Sequence, residues 1–122
     1  MLTVSKNIHK LVGKGFISEK EKMAVGRLVI EIKSEWEEAK IKIFGSKVQG
    51  TADEESDVDL LILLPCDVTE KIRRQIIHQI FTINLTFDTN ISALILSKKE
   101  WRNGAVSVLP IHTFIEEEGV PL

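Results

Sequence analysis

The sequence predicts a small α/β domain in which helices pack against a mixed β-sheet. Two observations lead to this fold class. Segments with apolar residues at helical spacing alternate with short apolar runs of strand character, and no stretch rich in proline, glycine or serine divides the chain. Since 122 residues is the length of one ordinary domain, we expect a single domain spanning residues 1–122.

Helices dominate the first third of the chain. Residues 1–17 predict a weak first helix or an N-terminal extension, because glycines interrupt the pattern. Ser18 and Glu21 then have the spacing of a capping box. They predict the start of an amphipathic helix over about residues 18–38. The apolar face of this helix consists of Val25, Leu28, Val29, Ile32 and Trp36.

Two strands and a long loop follow. The stretch "KIKIF" alternates charged and apolar residues, which predicts a half-buried strand ending at Gly45. The apolar run after Asp59 predicts a second strand, which Pro65 stops. The loop between them has about a dozen residues, and loops of that length in compact domains are usually functional.

The second half of the chain continues with a helix, a strand and short helices. Asp67 and Glu70 have capping spacing before an apolar helical face. Residues 91–96 contain little polarity, which predicts a third strand at the centre of the sheet. The helical face consists of Ile72, Ile76, Ile80, Ile83 and Phe87.

Capping residues bound the last two helices. Ser97 with Glu100 predicts the start of a short helix, and Pro110 and Gly119 predict the two ends of the final one. The run of glutamates at 116–118 is most simply a solvated face of that final helix.

Composition narrows the function classes. A formal net charge of -2 and a pI near 5.9 argue against an extended nucleic-acid surface, whereas a small nucleotide accompanied by a cation is compatible with them. Cys66 is the single cysteine, so no intrachain disulfide can form and a reducing compartment is expected. No segment has the apolar length of a membrane span or the pattern of a signal peptide. We therefore expect a cytoplasmic protein without a membrane partner.

A pair of aspartates stands at the start of the second predicted strand. Asp57 and Asp59 are two residues apart, so on a strand they project from the same face, with Cα atoms about 6.5 to 7 Å apart. Two carboxylates that close repel each other unless a cation lies between them. A hard divalent cation with oxygen ligands, most simply Mg²⁺, removes the conflict.

A glycine-rich turn precedes the aspartates. Gly45 and Ser46 come where the first strand ends, and Gly50 allows a second tight bend. Main-chain N–H groups and a serine hydroxyl suit phosphate oxygens. A phosphate cradle beside a carboxylate-held metal is what phosphoryl or nucleotidyl transfer requires. The spacing does not match a P-loop, a dinucleotide fingerprint or an EF-hand.

The stretch "GSKVQGTADEESDVDLLILL" resembles the signature of the polymerase-β-type nucleotidyltransferase superfamily. The chain is most similar to the minimal nucleotidyltransferases, which are often the antitoxin partner of a HEPN-domain protein, and "ISALILSKKEW" and "PIHTFIEEEGVPL" extend the likeness over nearly the whole chain. The resemblance implies a polymerase-β-like fold, with Mg²⁺ and a nucleoside triphosphate, ATP being the expected one. It implies that Gly45 and Ser46 hold the triphosphate, with Gly50 and Ser56 completing the motif. Asp57 and Asp59 would be the metal ligands and catalytic carboxylates.

One position departs from the family pattern. The superfamily uses a third carboxylate on the next core strand, both as a metal ligand and as the base for the incoming hydroxyl, and the alignment of "ISALILSKKEW" puts Ser92 there. A serine hydroxyl cannot act as that base at neutral pH. The neighbouring candidates for a replacement are Asp88, Asn90, Glu54 and Glu55.

The resemblance therefore leaves several functions open. The chain is an Mg²⁺-dependent nucleotidyltransferase that moves an NMP group to a hydroxyl of a HEPN-type partner, or a binding module that acts as an antitoxin by contact alone. A third alternative is transfer to a small molecule, for which a second copy of the chain would have to complete the acceptor site.

Overall fold

The computed structural model describes residues 6–53 and 55–122, where the chain forms one four-stranded mixed sheet with helices on both faces. Residues 1–5, part of the predicted N-terminal extension, lie outside the described residues. In chain order the elements are α1 (Lys6–Gly13), α2 (Glu19–Glu35), β1 (Lys40–Phe44), α3 (Ser46–Gln49), β2 (Val58–Leu64), α4 (Glu70–Phe87), β3 (Ile91–Ser97), α5 (Lys98–Asn103), a 3₁₀ turn (Ala105–Val108), α6 (Pro110–Glu118) and β4 (Val120–Pro121).

The strand order in the sheet is β3-β2-β1-β4. Strand β2 runs antiparallel to β1 and parallel to β3, while the short β4 pairs with the other side of β1. The prediction that residues 91–96 form a central strand is wrong, because β3 lies at the edge of the sheet. Its low polarity has another cause: α4 contacts it from one face and α5 from the other, and Leu94 and Leu96 pack in an apolar cluster.

Strand β2 is buried on both faces. Alternate residues of β2 enter the main core, where α1, α2 and α4 pack against the sheet; these are Val58, Leu60, Ile62 and Leu64. Leu61 and Leu63 face the other way, into a smaller cluster with Trp101 and Ile115. A strand covered on both faces loses the alternation of apolar and polar residues, which explains the continuous apolar run in the sequence.

The helix starts confirm most of the predicted caps. The Ser18–Glu21 capping box is present, with the Glu21 N–H donating to Ser18 Oγ at 3.1 Å and the Ser18 N–H donating to Glu21 Oε1 at 2.8 Å. The cap predicted at Asp67 is wrong: α4 begins two residues later, because the Thr69 hydroxyl accepts the Ile72 N–H at 3.2 Å. The Ser97 cap is confirmed, and Pro110 occupies the first position of α6. Within the described residues, none of the helices combines the length and hydrophobicity needed to cross a membrane.

The three glutamates of α6 are exposed, as the sequence predicts, but Glu116 also makes contacts that the sequence did not predict. Glu116 Oε1 accepts the indole N–H of Trp101 at 2.6 Å, and Glu116 Oε2 lies 3.8 Å from Lys42 Nζ. The ring of His112 packs on Trp101 with a centroid distance of 4.3 Å. Glu116 therefore ties α6 to α5 and to β1.

We expect Glu116 to make stability pH-dependent. The Trp101 hydrogen bond, with help from Lys42, holds the pKa of Glu116 below its ordinary value of 4.5, although partial burial opposes the shift. A lowered folded pKa gives stability that is present above the unfolded pKa and is lost as pH falls through the folded pKa. Glu116→Gln should therefore melt below wild type at pH 7, and the difference should shrink below about pH 4.5.

Melting curves from pH 7 to pH 3 measure this effect. Glu117→Gln is the matched control, because Glu117 is an exposed neighbour on the same helix. A melting difference for Glu116→Gln that is the same at every pH would contradict the prediction.

Candidate active site

The turn after β1 is built on two glycines with positive φ. Gly45 has φ +83° and precedes Ser46, the first residue of α3; Gly50 has φ +75° and ends that helix. The predicted loop thus begins with a four-residue helix. An added Cβ at Gly50 would lie 2.7 Å from the Phe16 ring, so Gly50 packs tightly against the α1–α2 connection.

Asp59 lies directly against this turn. It is half-buried in β2, paired with Phe44 of β1 on one side and with Ser92 of β3 on the other. A Cβ added at Gly45 would lie 2.7 Å from Asp59 Oδ2. A side chain at position 45 would therefore be strained by the backbone conformation and would displace the carboxylate.

Asp57 is the more exposed member of the pair. It immediately precedes β2. Val58, between the two aspartates, is completely buried in the main core. Asp59 therefore points to the opposite face of the sheet, and Asp57, on the same alternation, is exposed to solvent. The two predicted metal ligands thus stand at the open end of a rigid central strand.

Ser56 belongs to a hydrogen-bonded turn that leads into Asp57. Its hydroxyl accepts the Asp53 N–H at 3.1 Å and donates to Asp53 Oδ1 at 3.2 Å, while the Glu55 N–H donates to the same oxygen at 2.9 Å. The sequence interpretation grouped Ser56 with the ligand-binding residues. In the structure its hydrogen bonds shape the loop.

Ser92 occupies the position next to Asp59 on the neighbouring strand. Its Oγ donates a hydrogen bond to Asp59 Oδ1 at 2.8 Å. The register of the parallel pair sets this contact, because Asp59 is opposite Ser92. Asp59 is thus held by a hydroxyl on one side and by the Gly45 turn on the other.

The candidates considered for replacing the third carboxylate are exposed wherever the structure describes them. Asp88 is exposed and pairs with Lys20 at 3.3 Å, and both Asn90 and Glu55 are exposed as well. Glu54 lies outside the described residues. Over residues 6–53 and 55–122, no three histidine, cysteine, aspartate or glutamate side chains are arranged to hold a metal ion.

The donor set fits a magnesium ion that arrives with a nucleotide. Mg²⁺ is usually held by one or two carboxylates together with substrate phosphates and water. Asp57 and Asp59 can supply the carboxylates, and the Gly45 turn, which lies against Asp59, carries main-chain N–H groups of the kind that bind phosphate oxygens. The same residues do not make a closed protein cage for a permanent metal.

Sequence reasoning missed a buried ion pair beneath the glycine turn. Lys47 Nζ lies 3.1 Å from Glu21 Oε2, and the two side chains are only 5% and 11% exposed. Lys47 also donates to the main-chain oxygen of Asp53 at 3.3 Å. The sequence assigns Glu21 to the capping box of α2, and this role gives no indication of a lysine partner.

Comparison with known proteins adds a family and a fold. The model of the nucleotidyltransferase domain family matches residues 25–118, a span that contains the glycine turn, both aspartates and Ser92. A crystal structure of a toxin-antitoxin with AMP-PNP is similar in fold, with a TM-score of 0.52 and 16% sequence identity over 78% of this chain and 69% of that chain. No protein of curated function matches the chain.

Proposed function

Since the chain belongs to the nucleotidyltransferase domain family, we propose that it binds a nucleoside triphosphate together with Mg²⁺ and serves as the nucleotidyltransferase member of a two-protein pair. One observation carries this proposal. The carboxylate of Asp59 lies against the Gly45 turn, so a cation ligand and a phosphate-binding turn meet at one place.

The proposal assigns a role to each part of the site. The main-chain N–H groups after Gly45 and the Ser46 hydroxyl bind the β- and γ-phosphates, as such groups do at other phosphate turns. Asp57 and Asp59 hold Mg²⁺, and Ser92 fixes the orientation of the Asp59 carboxylate. The metal would neutralise phosphate charge when bound.

Transfer of the NMP group needs an acceptor hydroxyl. Its oxygen forms a bond to the α-phosphorus, the bond from that phosphorus to the bridging oxygen of the β-phosphate breaks, and pyrophosphate leaves. The hydroxyl proton must pass to a base. Ser92 stands where the family has a carboxylate, so the site lacks that base for the acceptor hydroxyl. We therefore expect slow transfer.

Two observations support a protein acceptor and an adenine nucleotide. The similar structure is that of a toxin-antitoxin with AMP-PNP, and we propose that this chain likewise binds ATP and pairs with a protein. The resemblance to the minimal nucleotidyltransferases favours a HEPN-type toxin as that protein. The aspartate pair is accessible to a macromolecule, because Asp57 is exposed and Asp59 is half-buried. We place the pair in the cytoplasm, where the exposed thiol of Cys66 stays reduced.

A second candidate function rests on Ser92. A site with two carboxylates binds a nucleotide with its metal but lacks the base for attack. In that case the chain neutralises its partner by contact alone.

The test combines binding with transfer. We expect calorimetry to show ATP binding in the presence of Mg²⁺ and little binding in EDTA. Incubation with labelled ATP and the protein encoded by the neighbouring gene then separates the two functions, since label on the partner shows transfer and its absence favours contact alone. A chain that shows no Mg²⁺-dependent binding of any nucleoside triphosphate would contradict the proposal.

A further inference from the structure

The Lys47–Glu21 pair is the most buried ion pair among the described residues. Its side chains are 5% and 11% exposed, whereas the other pairs each have a partner with at least 46% of its side chain exposed. Lys47 directly follows Ser46, but its ammonium group points into the protein and is unavailable to a phosphate. Burying two charges costs free energy even when they are paired, so stability alone does not explain why this pair is buried.

Each partner makes a second contact with a different segment. Lys47 Nζ donates to the carbonyl oxygen of Asp53 at 3.3 Å, in the turn that leads into Asp57. Glu21 Oε1 accepts the Ser18 N–H at 2.8 Å and so closes the capping box of α2. A continuous chain of contacts therefore runs from the start of α2, through the pair, to the turn before the first aspartate.

The two segments joined by the pair are short, and besides the pair α3 is anchored by Val48, which packs against the main core, and by the contact of Gly50 with Phe16. Helix α3 has only four residues, and Gly45 and Gly50 flank it. The hydrogen bonds described above for the Asp53–Ser56 turn are local to that turn. Lys47 connects both segments to a long helix that packs in the main core.

We propose that Lys47 and Glu21 are positioning residues, which fix the phosphate turn and the turn before Asp57 relative to each other so that both act on one nucleotide. This inference rests on the proposed function, because it assigns the pair to nucleotide binding. If the pair contributed to stability alone, replacing both charged side chains with uncharged ones of similar size would leave the nucleotide affinity unchanged.

The test uses the double variant Glu21→Gln with Lys47→Met. Glutamine keeps an oxygen that can accept the Ser18 N–H, and methionine keeps much of the length of lysine, so no unpaired charge is left buried. Lys47→Arg is the conservative variant, because arginine retains the charge and the donors. Lys20→Met is the matched control: Lys20 lies at the same end of α2, in an exposed pair with Asp88 at 3.3 Å.

Nucleotide affinity and backbone exchange decide the outcome. We expect the double variant to melt near wild type but to bind ATP with Mg²⁺ about tenfold more weakly, as misplaced groups do. Without nucleotide, the amides of residues 51–53 and 55–57 should exchange faster than in wild type. Lys47→Arg and Lys20→Met should behave as wild type does in both measurements.

Two results would overturn the inference. One is wild-type affinity and wild-type exchange in the double variant, and the other is a Lys47→Arg variant as defective as the double variant. If wild type itself does not bind ATP with Mg²⁺, the proposed function is wrong. The exchange rates then still decide whether the pair holds the two turns together.

Discussion

Asp59→Asn is expected to weaken the Mg²⁺-dependent binding of ATP by about 100-fold, since even the loss of a residue behind a metal ligand costs 10- to 100-fold in affinity. Asparagine has the shape of aspartate and can still accept the hydrogen bond that Ser92 Oγ donates at 2.8 Å. The change therefore removes a charge and a proposed metal ligand while the Gly45 turn keeps its packing. Asp57→Asn should weaken binding in the same direction.

Calorimetry with ATP and Mg²⁺ measures both variants, and a melting curve checks that each is folded. Asp67→Asn is the matched control, because Asp67 is an exposed aspartate beyond the other end of β2. If the Asp57→Asn/Asp59→Asn double variant bound ATP as tightly as this control, the aspartate pair would have no part in the site.

The fold was predictable where the signals are local. The capping box at Ser18, the strand "KIKIF" and the apolar run after Asp59 each depend on residues a few positions apart, and each was predicted correctly. The edge position of β3 was not predictable in this way, because the covering helices α4 and α5 make an edge strand as apolar as a central one. Strand β4 has only two residues, too few for a pattern.

The same distinction applies to the candidate site, where residues close in sequence were predictable and contacts between distant residues were not. Gly45, Asp57 and Asp59 lie within one short stretch, so their spacing alone indicated the turn and the carboxylates. The contact of Ser92 with Asp59 depends on the register of two parallel strands. Only the family resemblance indicated that position 92 belongs with the aspartates. Glu21 and Lys47 are far apart in the sequence and form an ion pair only in the folded chain, so no local sequence pattern predicts their contact.

The departure at position 92 leads to a prediction of gained activity. Ser92→Asp is expected to raise the transfer of labelled AMP to the proposed partner protein by about 100-fold, the lower end of what a positioned base contributes. The new carboxylate would stand beside Asp59, where Ser92 Oγ now lies 2.8 Å from Asp59 Oδ1. It would complete the family's set of three carboxylates and would supply a base for the acceptor hydroxyl.

Mg²⁺ and ATP should stabilise Ser92→Asp more than they stabilise the wild-type protein. Without a cation the added carboxylate repels Asp59, so Ser92→Asp should melt below wild type in EDTA and should show the larger rise in melting temperature when Mg²⁺ and ATP are added. Ser92→Asn is the matched control, because asparagine has the size of aspartate without its charge. If Ser92→Asp transferred no more label than Ser92→Asn, the missing third carboxylate would not be what limits transfer. Contact alone would then be the better proposal for how this chain acts on a partner protein.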